Sequence, residues 1–155
     1  MSRPRPYLPA LVAIVRVGLA ALLAYAGVSK LLDPAALAEH IQNYRVLPDA
    51  WAGGLALGLP VLELVVVVGL LGGSHAAGAA LLSGVLLSAF ALAMAQAKLR
   101  GIDLECGCFG GHSRVSWWKV GLNTGLGALA FAMVAAGTAG RAPVWALLRR
   151  ARAWS

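Results

Sequence analysis

Charged residues are scarce in this chain of 155 residues, and cysteines are scarcer still. Asp, Glu, Lys and Arg together make up 12% of the sequence, whereas hydrophobic residues make up 60%. A soluble domain carries about 25% charged residues, so the composition excludes an ordinary water-soluble globule. Two cysteines exclude a disulfide scaffold, and the sequence has no haem or flavin motif and no low-complexity tract. The composition indicates an integral membrane protein.

Acidic residues are the rarer of the two charge types. The chain has 13 Lys and Arg against 6 Asp and Glu, a formal net charge of +7. A nucleic-acid-binding protein needs its basic groups clustered on a solvated face. Here the basic residues flank long apolar runs, which is typical of membrane proteins. We therefore predict the lipid bilayer, and no nucleic acid, as a partner, with the basic tail 141–155 near anionic lipid.

Four windows have the length and apolar character of a membrane-spanning helix, which needs about 20 residues. They cover residues 8–28, 51–71, 76–97 and 117–137. Backbone polar groups in lipid must be satisfied within the segment, so helices are expected and not strands. The first window also resembles a signal peptide, but Arg16 interrupts its apolar core, and we interpret it as a retained span. The predicted fold is all-α: a single membrane domain built as a four-transmembrane-helix bundle.

The polar stretch after the first span predicts a further short helix. Asp33 is a suitable N-cap, and Pro34 suits the first helical position. Leu37, Ile41 and Tyr44 then recur at helical spacing on one side. This pattern favours a short interfacial helix lying in the plane of the membrane surface. A connecting helix packed on the bundle is the alternative.

Four spans place both termini on one side of the membrane. The numbers of Lys and Arg on the two sides are equal. Arginine clusters at both termini nevertheless favour a cytoplasmic location of the termini. Disulfide chemistry suits the opposite, outer face. We therefore expect a multi-pass protein of the bacterial cytoplasmic membrane with both termini inside.

Arg16 and Glu63 are ionisable residues that fall deep inside predicted spans. Counted from the same face at 1.5 Å per residue, both lie about 12 Å deep. A lone charge at that depth is costly, so the sequence predicts that they pair with each other. The pair would serve as a clamp between helices or as part of a proton or substrate pathway.

Cys106 and Cys108 are separated by one glycine in the third loop. A disulfide between them closes a very small ring, so it adds little stability and departs from relaxed geometry. Strained or exposed disulfides tend to be oxidising and labile. The pair therefore suits thiol–disulfide exchange better than a structural role. His112 and Arg114 are candidates to stabilise a thiolate.

Two other interpretations of this segment remain open. The cysteines with His112, and with His40 or His75 from another loop, would suit copper(I) or zinc. His75 is expected on the opposite face, which leaves the ligand set short, so no metal site is predicted. The cysteine pair would otherwise be inert.

Several segments together resemble the MauE branch of the DoxX-like membrane proteins. Residues 25–34 (YAGVSKLLDP) resemble the family's GxxKLxDP signature, and YRVLP, PVLE and the CGCFG segment preceded by Arg-Gly also match. The resemblance implies a four-helix membrane bundle with a role in periplasmic disulfide or cofactor maturation, as in assembly of methylamine dehydrogenase beside a thioredoxin-like partner. The residues that match the family's pattern are Arg16, Lys30, Asp33, Glu63, Cys106 and Cys108.

These observations combine into one functional hypothesis, a thiol–disulfide relay. A thioredoxin-fold periplasmic partner would exchange electrons with the cysteine pair at the outer face, and a membrane quinone is the cofactor that could supply or accept them. One alternative is a membrane anchor or assembly subunit without chemistry of its own. The other is a small metal-handling or transport protein. Whether the chain forms a homo- or hetero-oligomer is left open.

Overall fold

The computed structural model of the protein describes residues 8–102, 115–137 and 142–152. Within these ranges the regular structure is entirely helical, as expected for a chain whose backbone must satisfy its own hydrogen bonds in lipid. A short 3₁₀ helix, Asp49–Trp51, leads into the third helix. The helices are α1 (Leu8–Leu32), α2 (Pro34–Asn43), α3 (Ala52–Gly72), α4 (Ala76–Leu99), α5 (Trp117–Ala135) and α6 (Val144–Arg152).

Three helical segments of the described chain are long and apolar enough to cross a membrane. They are Ala10–Leu32, Asp49–Gly72 and Ala76–Leu99, which confirms the first three predicted spans. The fourth predicted span forms the 19-residue helix α5 but is not among them. Lys119, Asn123 and Thr124 in its first half lower its mean hydropathy.

The helices pack as two neighbouring pairs. α1 packs along α3 and α4 along α5, while α3 and α4 join the pairs through the tight turn at residues 73–75. The turn is possible because Gly73 has a φ of +94°, a backbone conformation that favours glycine. α2 packs on α3, and α6 packs on α1. The hydrophobic core is built from residues of α1, α3, α4, α5 and α6.

The short helix α2 begins as the sequence predicts. The Asp33 side chain accepts a hydrogen bond from the Ala36 backbone N–H at 2.9 Å, and Pro34 occupies the first turn. Leu37 on its inner side is buried. α2 is thus a connecting helix packed on α3, and its predicted position at the membrane interface stays a prediction.

The contact between α3 and α4 depends on a small residue near their shared turn. A Cβ atom added at Gly69 would lie 2.8 Å from the Cβ of Ala79, which is closer than real Cβ atoms approach. Small residues allow such close helix contacts in membrane proteins. By contrast, nothing lies within 4 Å of a Cβ added at Gly58 on the same helix.

This difference predicts that Gly69→Ala destabilises the bundle, whereas Gly58→Ala does not. The Gly69 change must separate α3 from α4, and we expect a loss of about 1–2 kcal/mol after the gain in helix propensity is included. Thermal unfolding of the purified protein in detergent measures both variants. Equal melting temperatures for the two would contradict the close contact.

Candidate functional site

The predicted redox residues lie outside the described residues. Cys106, Cys108, His112 and Arg114 all fall between the two described ranges that end at 102 and begin at 115. Their proposed chemistry therefore stays a prediction. Within the described residues, a buried charged group lies where α1, α3 and α4 meet.

A buried ion pair joins α1 to α3. The Nζ atom of Lys30 donates a hydrogen bond to Oε1 of Glu63. Lys30 is 5% exposed, and Glu63 is fully buried. Each charge would be costly in this apolar setting without the other, so the pair offsets part of the cost of burying both. The second carboxylate oxygen, Oε2, has no hydrogen-bond partner within the described residues.

The predicted pair between Arg16 and Glu63 is wrong, because the two helices are staggered. The backbone of Gly27 faces Pro60, which places the last turns of α1 beside the middle of α3. Side chains in a helix lean toward its N-terminus, so the long Lys30 side chain reaches back to the level of Glu63. Lys30 lies two residues beyond the predicted span 8–28, so only its match to the family motif distinguishes it in the sequence.

Arg16 instead binds the end of α3 and the segment before α6. Its Nε donates to the Leu70 carbonyl at 2.7 Å and its Nη1 to the Ala142 carbonyl at 2.8 Å, while Nη2 also donates to Leu70. α3 ends at Gly72, so Leu70 is in the last turn, where carbonyls lack partners within the helix. A cation is also favoured near a helix C-terminus. The fully buried Arg16 therefore clamps three segments together.

An aromatic ring from α4 completes the surroundings of the lysine. The Lys30 ammonium lies 4.5 Å from the centroid of the Phe90 ring. A cation at this distance over a ring face is attracted by the ring's quadrupole. Lys30 thus links α1 to α3 through Glu63 and to α4 through Phe90.

Lys30 also lines an apolar cavity of about 270 Å³ between α2, α3 and α4. The walls are mostly aliphatic and aromatic side chains, including Leu59 and Phe90. Polar atoms in the lining side chains belong to Lys30, His40 and Tyr44. His40 Nδ1 is buried and has no hydrogen-bond partner within the described residues.

One wall of the cavity belongs to a small hydrophobic cluster that reaches the flank of the cysteine segment. Val115 is buried in this cluster with Met94, and Tyr44 and Phe90 pack against them. Val115 is also the first residue described after the cysteine segment. The cavity therefore lies at the end of the bundle where the chain leaves α4 and enters α5.

The described residues include no group of three or more His, Cys, Asp or Glu side chains placed to hold a metal ion. His40 lies on α2, beside the second half of α4, whereas His75 immediately precedes the first residue of α4. The two histidines are thus at opposite ends of α4, and the structure does not bring them together.

A family model described as "Methylamine utilisation protein MauE" matches residues 8–138. The chain belongs to the MauE family. Its three long apolar helices agree with the multi-pass helical membrane character expected from the sequence. The match includes Arg16, Lys30, Glu63 and both cysteines.

Curated relatives support the same membership. The chain is 42% identical over 122 residues to the methylamine utilization protein MauE of Paracoccus denitrificans, covering 77% of this chain and 66% of that protein. It is 38% identical over 128 residues to MauE of Methylorubrum extorquens, covering 81% of this chain and 69% of the relative. The chain thus spans about two thirds of the length of the relatives it matches. No solved structure matches it.

The ion pair predicts an asymmetric effect of removing its members. Lys30→Met leaves Glu63 buried without a partner, and we expect a loss of about 3–5 kcal/mol in unfolding free energy. Lys30→Met combined with Glu63→Gln removes both charges and should recover most of that loss. Unfolding in detergent measures the two variants and Glu63→Gln alone. Purely additive losses would contradict the pair.

The clamp predicts that Arg16→Met loosens α6 from the bundle. The Leu70 and Ala142 carbonyls would lose their donors, which we expect to lower stability by about 2–3 kcal/mol. Trypsin should then cleave more rapidly at the arginines of α6. The control is Arg45→Met, since Arg45 is exposed. Equal cleavage rates in the two variants would contradict the clamp.

Proposed function

We propose that this MauE-family protein is a thiol–disulfide relay of the bacterial cytoplasmic membrane. Cys106 and Cys108 at the outer face would exchange electrons with a thioredoxin-fold periplasmic protein. The exchange would support maturation of a periplasmic enzyme used in methylamine utilisation, such as methylamine dehydrogenase. The observation that carries the proposal is that the family match spans residues 8–138 and so contains the Cys-Gly-Cys pair.

In this proposal α5 is the fourth membrane span. Its 19 residues give a length of about 28 Å, close to the thickness of the hydrocarbon core. Two of its polar side chains are satisfied within the helix. Asn123 donates to the Lys119 carbonyl at 2.9 Å, and Thr124 donates to the Val120 carbonyl at 2.8 Å. These bonds lower the cost of placing the helix in lipid.

A fourth span determines the proposed orientation. With four spans both termini share one side, and the arginines at both ends favour the cytoplasm. The segment between α4 and α5 then faces the periplasm, an oxidising compartment in which disulfides persist. α2 would lie near the same outer interface, because it follows α1 at that end of the bundle.

The exchange itself conserves electrons between two disulfide–dithiol pairs. A thiolate of the partner attacks one sulfur of the Cys106–Cys108 disulfide, and the other cysteine leaves as a thiolate. The partner's second thiolate then attacks the mixed disulfide, which releases an oxidised partner and a reduced Cys106–Cys108 pair. The reverse sequence reduces the partner. His112 and Arg114 are close enough in sequence to stabilise the thiolate form.

A partner trap tests this proposal. Cys106→Ser and Cys108→Ser are expressed separately in a host that contains the maturation system, free thiols are blocked in acid, and the proteins are separated on non-reducing gels. We expect one variant to accumulate a reducible adduct with a thioredoxin-fold protein, because its mixed disulfide lacks the resolving thiol.

The double variant Cys106→Ser/Cys108→Ser is the matched control and should give no adduct. The relay would be wrong if neither single variant traps a protein and the wild-type pair is permanently reduced. Enzyme maturation that survives in the double variant would instead indicate a membrane anchor or assembly subunit without thiol chemistry.

A further inference from the structure

We propose that the cavity between α2, α3 and α4 binds the ring of a membrane-soluble quinone, with Lys30 donating a hydrogen bond to a quinone carbonyl. Ligand pockets in proteins are usually about 300–1,000 Å³ and mostly apolar with a few placed polar groups. At about 270 Å³ this cavity suits one substituted ring. The exposed side chains of Val46 and Leu47 form part of its lining, so an alkyl tail has a route out.

The charge of the site favours a neutral ligand. The positive charge of Lys30 is already balanced by Glu63, so the pair as a whole has no net charge to attract a phosphate. A lysine ammonium has three N–H donors. In the described residues, Lys30 has Glu63 as its hydrogen-bond acceptor and the Phe90 ring as a further contact, which leaves a donor for a ligand. A quinone carbonyl oxygen is a neutral acceptor for this remaining N–H donor.

A second lining residue adds a ring contact. His40 lines the cavity, whereas its Nδ1 atom is buried without a partner within the described residues. The surface of the cavity is almost entirely apolar, so His40 contributes the face or edge of its ring. A quinone is a flat and mostly apolar ring, which matches this aromatic and aliphatic wall, and one of its carbonyl groups is the acceptor for Lys30.

The position of the cavity suits a redox partner of the cysteine pair. Phe90, Met94 and Tyr44 line the cavity and also form the cluster that holds Val115. Cys108 precedes Val115 by seven residues in the sequence. As the cysteines form their disulfide, two thiols lose two electrons and two protons, and the quinone gains both to become the quinol. This redox role rests on the proposed relay, whereas binding of the ring does not.

Binding of decylubiquinone to the purified, delipidated protein in detergent tests the proposal. Ala93 lines the cavity, and Ala95 on the same helix does not. We expect Ala93→Phe to weaken binding at least tenfold by filling the cavity, and the matched control Ala95→Phe to leave it unchanged. Lys30→Met combined with Glu63→Gln keeps the site neutral and should weaken binding about tenfold through the lost hydrogen bond.

Two competitors distinguish a quinone site from a groove for lipid. Decylbenzene has the ring and tail without carbonyls, and an anionic phospholipid has the tail and a charged headgroup. Neither should displace decylubiquinone at equal concentration. Equal displacement by either one, or equal binding by Ala93→Phe and Ala95→Phe, would overturn the proposal. Undiminished binding by the Lys30→Met/Glu63→Gln protein would overturn the role of Lys30.

The relay and the quinone site can fail separately. Binding is measured again on Cys106→Ser/Cys108→Ser protein, where it should be unchanged because the proposed ring site depends on Lys30 and the other described lining residues and not on thiol chemistry. Binding without a trapped partner would leave the cavity assignment standing and contradict the relay. A trapped partner without decylubiquinone binding would leave the relay standing and contradict the cavity assignment.

Discussion

The ion pair between Lys30 and Glu63 lies buried where α1, α3 and α4 meet, and the arrangement of these three helices depends on it. The pair joins the end of α1 to the middle of α3. Phe90 brings α4 to the same point through its contact with the ammonium group. Because an unpaired charge in this place is strongly unfavourable, other registers of the two helices carry a penalty that the observed one avoids.

The ion pair also explains why the apolar cavity has a polar group in its wall. Lys30 belongs both to the ion pair and to the cavity lining. Glu63 does not line the cavity, whereas Lys30 does, so the carboxylate balances the lysine charge from outside the lining. The same contact thus contributes to stability and sets the chemistry of the proposed ligand site.

Much of the fold was predictable from composition and local signals. Long apolar runs predicted three spans that the structure confirms, and Asp33 with Pro34 predicted the start of α2. α5 forms a helix where a span was predicted, but Lys119 and Asn123 reduce its apolar character, and its place in the membrane is a proposal.

The contacts between helices were less predictable. The predicted partner of Glu63 was wrong because depth counted along a sequence contains no information about the stagger between helices. Arg16 was expected beside Glu63, yet it is level with the end of α3. The cavity was not predicted either, since its lining comes from residues of α2, α3 and α4 whose spacing only the packing determines.

The hydrogen bond from Arg16 to the Ala142 carbonyl has a consequence for the divergence of this segment. Nearly every amino acid offers the same backbone carbonyl, so the bond does not require alanine at position 142. The family match ends at residue 138, just before this point. A substitution at residue 142 can therefore leave the attachment to Arg16 in place, whereas Val144 and Leu147 remain constrained by their burial in the core. A chain that differs at residue 142 but keeps apolar side chains at 144 and 147 can thus share the same anchored C-terminal helix.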